Sequence, residues 1–100
     1  MQVFVQHLAA IKNLCQQHNV TSLFAFGSVT RGDFRPESDI DLIVDIADTD
    51  PLAYSEHYFG LKFKLEELFK RKVDLLEERA LRNIYVKQNI EKTKVLIYGR

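Results

Sequence analysis

The 100-residue chain has the composition of one small globular domain, with 46% hydrophobic residues, 28% charged residues and no net charge. Its apolar runs are far shorter than the roughly 18 residues that span a bilayer, and its first residues lack the pattern of a secretory signal. Its one cysteine, Cys15, cannot form an internal disulfide, which fits a reducing compartment. We therefore predict a single domain over residues 1–100, in the cytoplasm and without a membrane segment.

Charge is distributed unevenly along the chain. Residues 1–59 hold three basic and eight acidic residues, whereas residues 60–100 hold eleven basic and six acidic residues. Proteins with a general affinity for nucleic acid present a net basic surface, which this composition does not supply. We therefore expect no direct binding of nucleic acid.

The first half of the chain predicts a helix followed by a buried strand. Residues 3–18 carry apolar side chains at helical spacing, and Asn19 ends this segment. Residues 23–26 form a short, aromatic-rich apolar run that stops at Gly27, which is typical of a buried strand. The polar residues that follow predict a loop with one helical turn near Ser28.

The next strand has one apolar and one acidic face. From Asp39 to Ile46, aliphatic residues occupy every even position, and three of the four odd positions are aspartates. Asp50 and Pro51 then have the residue types of a helix N-cap and first helical position. The remaining pattern predicts a helix to about residue 70, a strand at 73–76, a helix at 81–92 and a strand at 95–98. These elements predict an α/β or α+β fold, a small mixed sheet with helices on one face.

Two neighbouring motifs carry the candidate chemistry. Gly27-Ser28 directly follows a strand, where glycine permits close approach of a ligand and exposed N–H groups bind phosphate oxygens. Asp39 and Asp41 lie on one face of a strand, with their Cα atoms about 7 Å apart, so both can reach one metal ion. Such hard oxygen ligands suit Mg²⁺ or Mn²⁺ better than zinc. Either motif alone is common, but the two separated by ten residues are much more specific.

The residues from Phe26 to Gly32, followed by Ser38 to Leu42, resemble the signature of the DNA polymerase beta superfamily of nucleotidyltransferases. Thr30 stands where that family often has alanine. Within the superfamily the chain is most similar to the minimal nucleotidyltransferases, small proteins commonly encoded beside a HEPN-domain partner as toxin–antitoxin pairs. The resemblance implies a polymerase-beta-like core.

The same resemblance assigns roles to five residues. Gly27 and Ser28 would hold the nucleotide phosphates, Asp39 and Asp41 would bind Mg²⁺, and Asp74 would supply a third carboxylate. Asp74 is also the one acid inside its short apolar run. Two metal ions would then assist an in-line displacement at the α-phosphorus of ATP, with pyrophosphate leaving.

Other polar residues have simpler explanations. Arg31 is either a further phosphate contact or a residue of a surface turn, and the sequence favours neither. Asp45 shares the acidic face but lies further along the strand, where we expect it to end the strand rather than bind metal. His7, His18 and His57 lack the spacing of metal ligands and are expected to be ordinary helix residues.

The small size of the chain bears on the acceptor. A chain of this length has no further domain to grip a substrate, which favours a folded protein as acceptor. By resemblance, the reaction is transfer of AMP from ATP to a hydroxyl, typically of tyrosine, on a HEPN ribonuclease toxin. Two alternatives remain open: a non-catalytic antitoxin that neutralises its partner by binding, and a small-molecule adenylyltransferase that works as a dimer.

Overall fold

The structure is a computed structural model that describes residues 2–30, 35 and 38–99. Four α-helices, four β-strands and two short 3₁₀ turns follow one another in this part of the chain. The helices are α1 (Gln2–Val5), α2 (Leu8–Gln17), α3 (Pro51–Phe69) and α4 (Ile84–Thr93). The strands are β1 (Val20–Phe26), β2 (Ile40–Ile46), β3 (Val73–Glu77) and β4 (Val95–Gly99). The 3₁₀ turns are Gly27–Thr30 and Glu78–Ala80.

The four strands form one mixed sheet in the order β3-β2-β1-β4. β1 is antiparallel to both β2 and β4, whereas β2 and β3 run parallel. A parallel pair needs a long crossover connection, and α3 supplies it. The sheet is therefore mixed, as predicted, and its one parallel pair joins the two strands that carry the candidate carboxylates.

Side-chain alternation gives the sheet one fully apolar face. Leu23 pairs with Val44 and Ala25 with Leu42, and these residues are buried. α1, α2 and α3 cover this face; the buried residues they contribute are Phe4, Ile11, Cys15, Leu61, Leu65 and Phe69. The acidic residues of β2 alternate with this set, so they lie on the opposite face.

α3 begins at the capping residues that the sequence predicted. The Asp50 side chain accepts a hydrogen bond from the Ala53 N–H at 3.2 Å, and Pro51 occupies the first turn. Lys70 ends the helix in a left-handed conformation, with φ 55°. The helix continues through Gly60, where the ring of His18 packs against the position that a side chain would occupy.

Three elements differ from the sequence-based prediction. The predicted helix over residues 3–18 is divided into α1 and α2 by a turn at Gln6 and His7. β1 begins at Val20, three residues before the predicted start, because its first residues pair with the end of β2. α4 shares a cleft with Phe26 on the acidic side of the sheet, so the prediction that all helices lie on one face is wrong for this helix.

Within the described residues, no helix is both long enough and apolar enough to cross a membrane.

Candidate active site

The backbone of Gly27 lies directly against the carboxylate of Asp41. Gly27 adopts a φ of 73°, a conformation that side chains disfavour, and begins the 3₁₀ turn that follows β1. A Cβ placed on Gly27 would overlap Asp41 Oδ2 and lie 3.2 Å from its Cγ. Thr30 Oγ1 donates to the Gly27 carbonyl at 2.8 Å and so closes the turn. This position therefore requires glycine both for its backbone conformation and for the space beside Asp41.

The sheet register brings the predicted carboxylates to one face. Phe26 pairs with Asp41 across β1 and β2, and Asp41 pairs with Asp74 across β2 and β3. Asp39 immediately precedes β2, two residues before Asp41, which is the spacing of side chains on the same face. Asp39 and Asp74 are exposed and Asp41 is half-buried. Three carboxylates from two adjacent strands thus lie beside the glycine turn.

The donor set suits a hard divalent cation. Carboxylate oxygens are the protein ligands that Mg²⁺ and Mn²⁺ prefer. Over residues 2–30, 35 and 38–99, no three His, Cys, Asp or Glu side chains are already arranged as a metal-binding group. The three carboxylates are therefore the donor type that fits Mg²⁺, although their side chains do not converge on one point in this structure.

Of the two remaining predicted phosphate contacts, the structure describes one. Ser28 is half-buried in the 3₁₀ turn, next to Gly27. Arg31 lies outside the described residues.

A cleft opens beside the glycine turn on the acidic side of the sheet. It has a volume of about 470 Å³ and is lined by Phe26 and Gly27 on one side and by α4 residues, among them Tyr85 and Asn89, on the other. Leu76 of β3 lines it as well, two residues after Asp74. The cleft therefore adjoins the turn and, through Gly27, the carboxylate of Asp41.

Asp45 belongs to a separate polar network at the other end of β2. Its carboxylate accepts a hydrogen bond from Thr21 Oγ1 at 2.9 Å and lies 3.3 Å from the Arg79 guanidinium. That guanidinium also stacks over the ring of Tyr54, 4.5 Å from its centroid. Asp45 thus ties β2 to β1 and to the turn after β3, in line with its predicted structural role.

The structure also assembles a cluster that the sequence analysis missed. His18, at the end of α2, and His57, in α3, face each other beside Asp48 and Asn19. These residues lie near the start of β1 and the end of β2, whereas Gly27 and Asp41 lie at the opposite ends of the same strands. The histidine cluster is therefore distinct from the carboxylate face.

This chain belongs to the polymerase beta nucleotidyltransferase family. The family model described as "Polymerase beta, Nucleotidyltransferase" matches residues 9–100, which include both motifs and Asp74. The fold is the polymerase-beta-like core that the sequence predicted, and the protein is a nucleotidyltransferase enzyme.

Individual relatives show which members of this family the chain is similar to. The chain is 36% identical over 86 residues to "Putative protein adenylyltransferase MJ1379" of Methanocaldococcus jannaschii, covering 86% of this chain and 85% of that protein. It superposes with a TM-score of 0.77 and 29% identity on the solved "Structure of putative minimal nucleotidyltransferase", covering 94% and 92% of the two chains. It also superposes, with a TM-score of 0.68 and 26% identity, on a chain of the "Crystal structure of the toxin-antitoxin with AMP-PNP", covering 88% and 69%.

Proposed function

We propose that this protein transfers AMP from ATP to a hydroxyl group of a partner protein, and that the partner is a HEPN toxin. The observation that carries the proposal is the packing of Asp41 against Gly27, with Asp74 opposite Asp41 in the sheet. In this arrangement the turn that we propose binds phosphate lies beside an acidic face that suits a cation. Relatives named as protein adenylyltransferases and a toxin–antitoxin structure with AMP-PNP support the choice of nucleotide and partner.

The 3₁₀ turn is the part of the site that would hold the triphosphate. The N–H groups at the start of such a turn point outward and bind phosphate oxygens without a side-chain charge. The absence of a Cβ at Gly27 lets those oxygens approach the backbone, and the Ser28 hydroxyl adds a donor. The turn would therefore hold the nucleotide with its phosphates against Asp41.

Asp39, Asp41 and Asp74 would hold Mg²⁺, which in such sites neutralises phosphate charge and steadies the attacking and leaving oxygens. The carboxylates themselves would orient the reactants, and Asp74 would accept the proton of the attacking hydroxyl. The bond from the acceptor oxygen to the α-phosphorus forms as the bond to the β-phosphate oxygen breaks, and pyrophosphate leaves. Positioning and charge neutralisation supply most of the catalysis.

The acceptor is proposed to be a tyrosine hydroxyl of the partner. The structures of toxin–antitoxin pairs that resemble this chain include a tyrosine-to-alanine variant of the MntA–HepT complex, at 25% identity and a TM-score of 0.62. A folded partner brings its own binding surface for the docking of the acceptor hydroxyl.

The test uses the purified chain, labelled ATP, Mg²⁺ and the product of the neighbouring gene, which we expect to be a HEPN protein. We expect label on the partner, and Asp41→Asn should decrease the labelling rate by at least about a hundredfold. Asp45→Asn is the matched control, since Asp45 lies on the same strand face but is engaged by Thr21 and Arg79. Asp45→Asn should retain labelling.

Two outcomes would overturn the proposal. If Asp41→Asn neutralises the toxin as well as the wild type does and no label is transferred, the protein is an antitoxin that acts by binding. If label appears on small molecules and never on the partner, the enzyme is a small-molecule adenylyltransferase.

A further inference from the structure

We propose that Tyr85 of this chain is itself an acceptor, so that the enzyme adenylylates its own α4 in an intramolecular reaction; this inference rests on the proposed function. Its basis is the position of one exposed tyrosine in the same cleft as the glycine turn. For an enzyme that transfers AMP to a protein hydroxyl, the hydroxyl groups that line its own cleft are also potential acceptors.

Two of the four tyrosines are engaged elsewhere. Tyr54 Oη donates to Glu77 Oε2 at 2.8 Å, and Tyr58 Oη donates to the carbonyl of Leu75 at 2.5 Å. Both rings are half-buried beneath α3, on the apolar face of the sheet. Transfer to either hydroxyl would require breaking these hydrogen bonds.

Tyr85 differs from the others in exposure and in position. Tyr98 is half-buried and packs against the main core from the edge strand β4. Tyr85 is 79% exposed, and within the described part of the chain no hydrogen bond holds its hydroxyl. It is thus the tyrosine whose oxygen is free to act as a nucleophile.

The first turn of α4 fixes Tyr85 at the rim of the cleft. Asn83 caps the helix, and its Oδ1 accepts from the N–H groups of Tyr85 at 2.9 Å and Val86 at 3.2 Å. The cap holds the backbone in place while the side chain remains mobile. Thr93, the other α4 hydroxyl in the cleft, already donates to the Asn89 carbonyl at 2.9 Å.

Tyr85 shares its cleft with the glycine turn. Gly27 lines the cleft and abuts Asp41, and Tyr85 lines the same cleft from α4. The proposed reaction requires that a nucleotide held at the glycine turn extends its α-phosphorus into this cleft, towards Tyr85.

The reaction is the proposed transfer with Tyr85 as acceptor. Its Oη forms a bond to the α-phosphorus of ATP, the bond to the β-phosphate oxygen breaks, and pyrophosphate leaves with the electron pair. The phenolic proton passes to a carboxylate of the acidic face and then to water. The products are the chain with one AMP in phosphodiester linkage on Tyr85, and pyrophosphate.

The experiment incubates the full chain alone with ATP and Mg²⁺ and maps the modified residue by mass spectrometry of peptides. We expect one added AMP, on Tyr85, and complete loss of the modification in Tyr85→Phe. Tyr98→Phe is the matched control and should retain it. Because the reaction is intramolecular, the fraction modified per unit time should not change when the protein is diluted.

Four results would overturn the inference, and they separate it from the proposed function. Self-modification that maps to another residue contradicts it. Labelling of an inactive Asp41→Asn chain by added wild type contradicts the intramolecular step. Transfer by the wild type to the HEPN protein without any self-modification removes Tyr85 as acceptor but leaves the proposed function standing, whereas no transfer to either protein removes both.

Discussion

The imidazole rings of His18 and His57 meet edge to face, with their Nδ1 atoms 3.3 Å apart. His57 Nε2 lies 3.2 Å from Asp48 Oδ2, which requires a proton on that nitrogen. The neutral His57 then accepts at Nδ1, and His18 donates from its own Nδ1. His18 Nε2 is left without a proton, and it is buried with no hydrogen-bond partner among the described residues. Protonation of His18 Nε2 would therefore place a positive charge at a buried position that offers it no acceptor.

This arrangement predicts that stability falls in mild acid. Burial, His57 and Lys64 lower the pKa of His18, so the folded protein resists protonation that the unfolded chain accepts near its ordinary pKa of about 6.5. The stability is thus present above about pH 6.5 and is lost as pH falls below it. Urea unfolding from about pH 7.5 to about pH 5 should show a shallower decline for His18→Gln than for wild type.

His7→Gln is the control for this measurement. His7 packs against Phe69, apart from the His57 pair, so its replacement should leave the pH dependence as in wild type. Equal slopes in His18→Gln and wild type would contradict the assignment of the acid sensitivity to this pair.

Gly60 tests the same region without a change in pH. A Cβ at Gly60 would lie 2.9 Å from His18 Cε1, so the ring must move to admit alanine. Alanine favours a helix interior over glycine by about 1 kcal/mol, and we expect this gain to be cancelled in Gly60→Ala. In a His18→Ala background the space is free, and Gly60→Ala should then raise the free energy of unfolding by about 1 kcal/mol. A double-mutant cycle measures the difference, and additive effects would contradict the contact.

Gly27 should be required for activity and for stability, each for its own reason. Gly27→Ala places a side chain in a left-handed conformation, which costs about 1–2 kcal/mol, and forces Asp41 away from the turn. We expect a loss of AMP transfer of at least about tenfold, measured as labelled partner per folded enzyme.

Gly99→Ala is the control that separates the effect of backbone strain on stability from the effect of Gly27 on AMP transfer. Gly99 has a φ of 96°, and a Cβ there would overlap the Thr21 carbonyl, so this variant also loses stability. Gly99 pairs with Ser22, at the far end of β1 from the glycine turn. It should keep transfer activity per folded molecule, and an equal loss in both variants would show that Gly27 acts through the fold alone.

The raised pKa of Tyr54 leads us to expect a loss of stability in alkali. Burial, and next the hydrogen bond to Glu77, raise the pKa of Tyr54 to about 12, whereas the unfolded chain ionises tyrosine near 10. The stability is present below about pH 10 and is lost as pH rises from about 10 to 12. Tyr54→Phe should cost about 1 kcal/mol at neutral pH and decline less in alkali. Tyr85→Phe, at an exposed position, should follow the wild-type decline.

Local sequence patterns were enough to predict most of the fold and the residues of the candidate site. Strict alternation from Asp39 to Ile46 predicted a strand with an acidic face because side-chain direction depends only on the position in the strand. Asp50 and Pro51 predicted the start of α3 because capping involves the backbone within one turn. Residues whose role is set by their nearest neighbours were therefore predictable.

What the sequence did not reveal depends on how distant segments meet. His18 and His57 are separated by 39 residues, and only the packing of α2 against α3 brings them together. The position of α4 was missed for a similar reason: its short apolar pattern does not say which face of the sheet it covers. Its first-turn residues Ile84, Tyr85 and Val86 are hydrophobic in sequence but exposed in the structure, and Tyr85 and Val86 border the cleft.

Strand β3, which carries Asp74, is the outermost strand on its side of the sheet. A strand paired along one edge only can detach at a lower free energy than that of global unfolding. On the proposed assignment, such fraying removes one carboxylate together with the buried Val73 and Leu75, while the other three strands stay paired. In a denaturant series, catalytic turnover should therefore be lost before the circular dichroism signal changes. The loss of turnover would then report the detachment of β3 from β2.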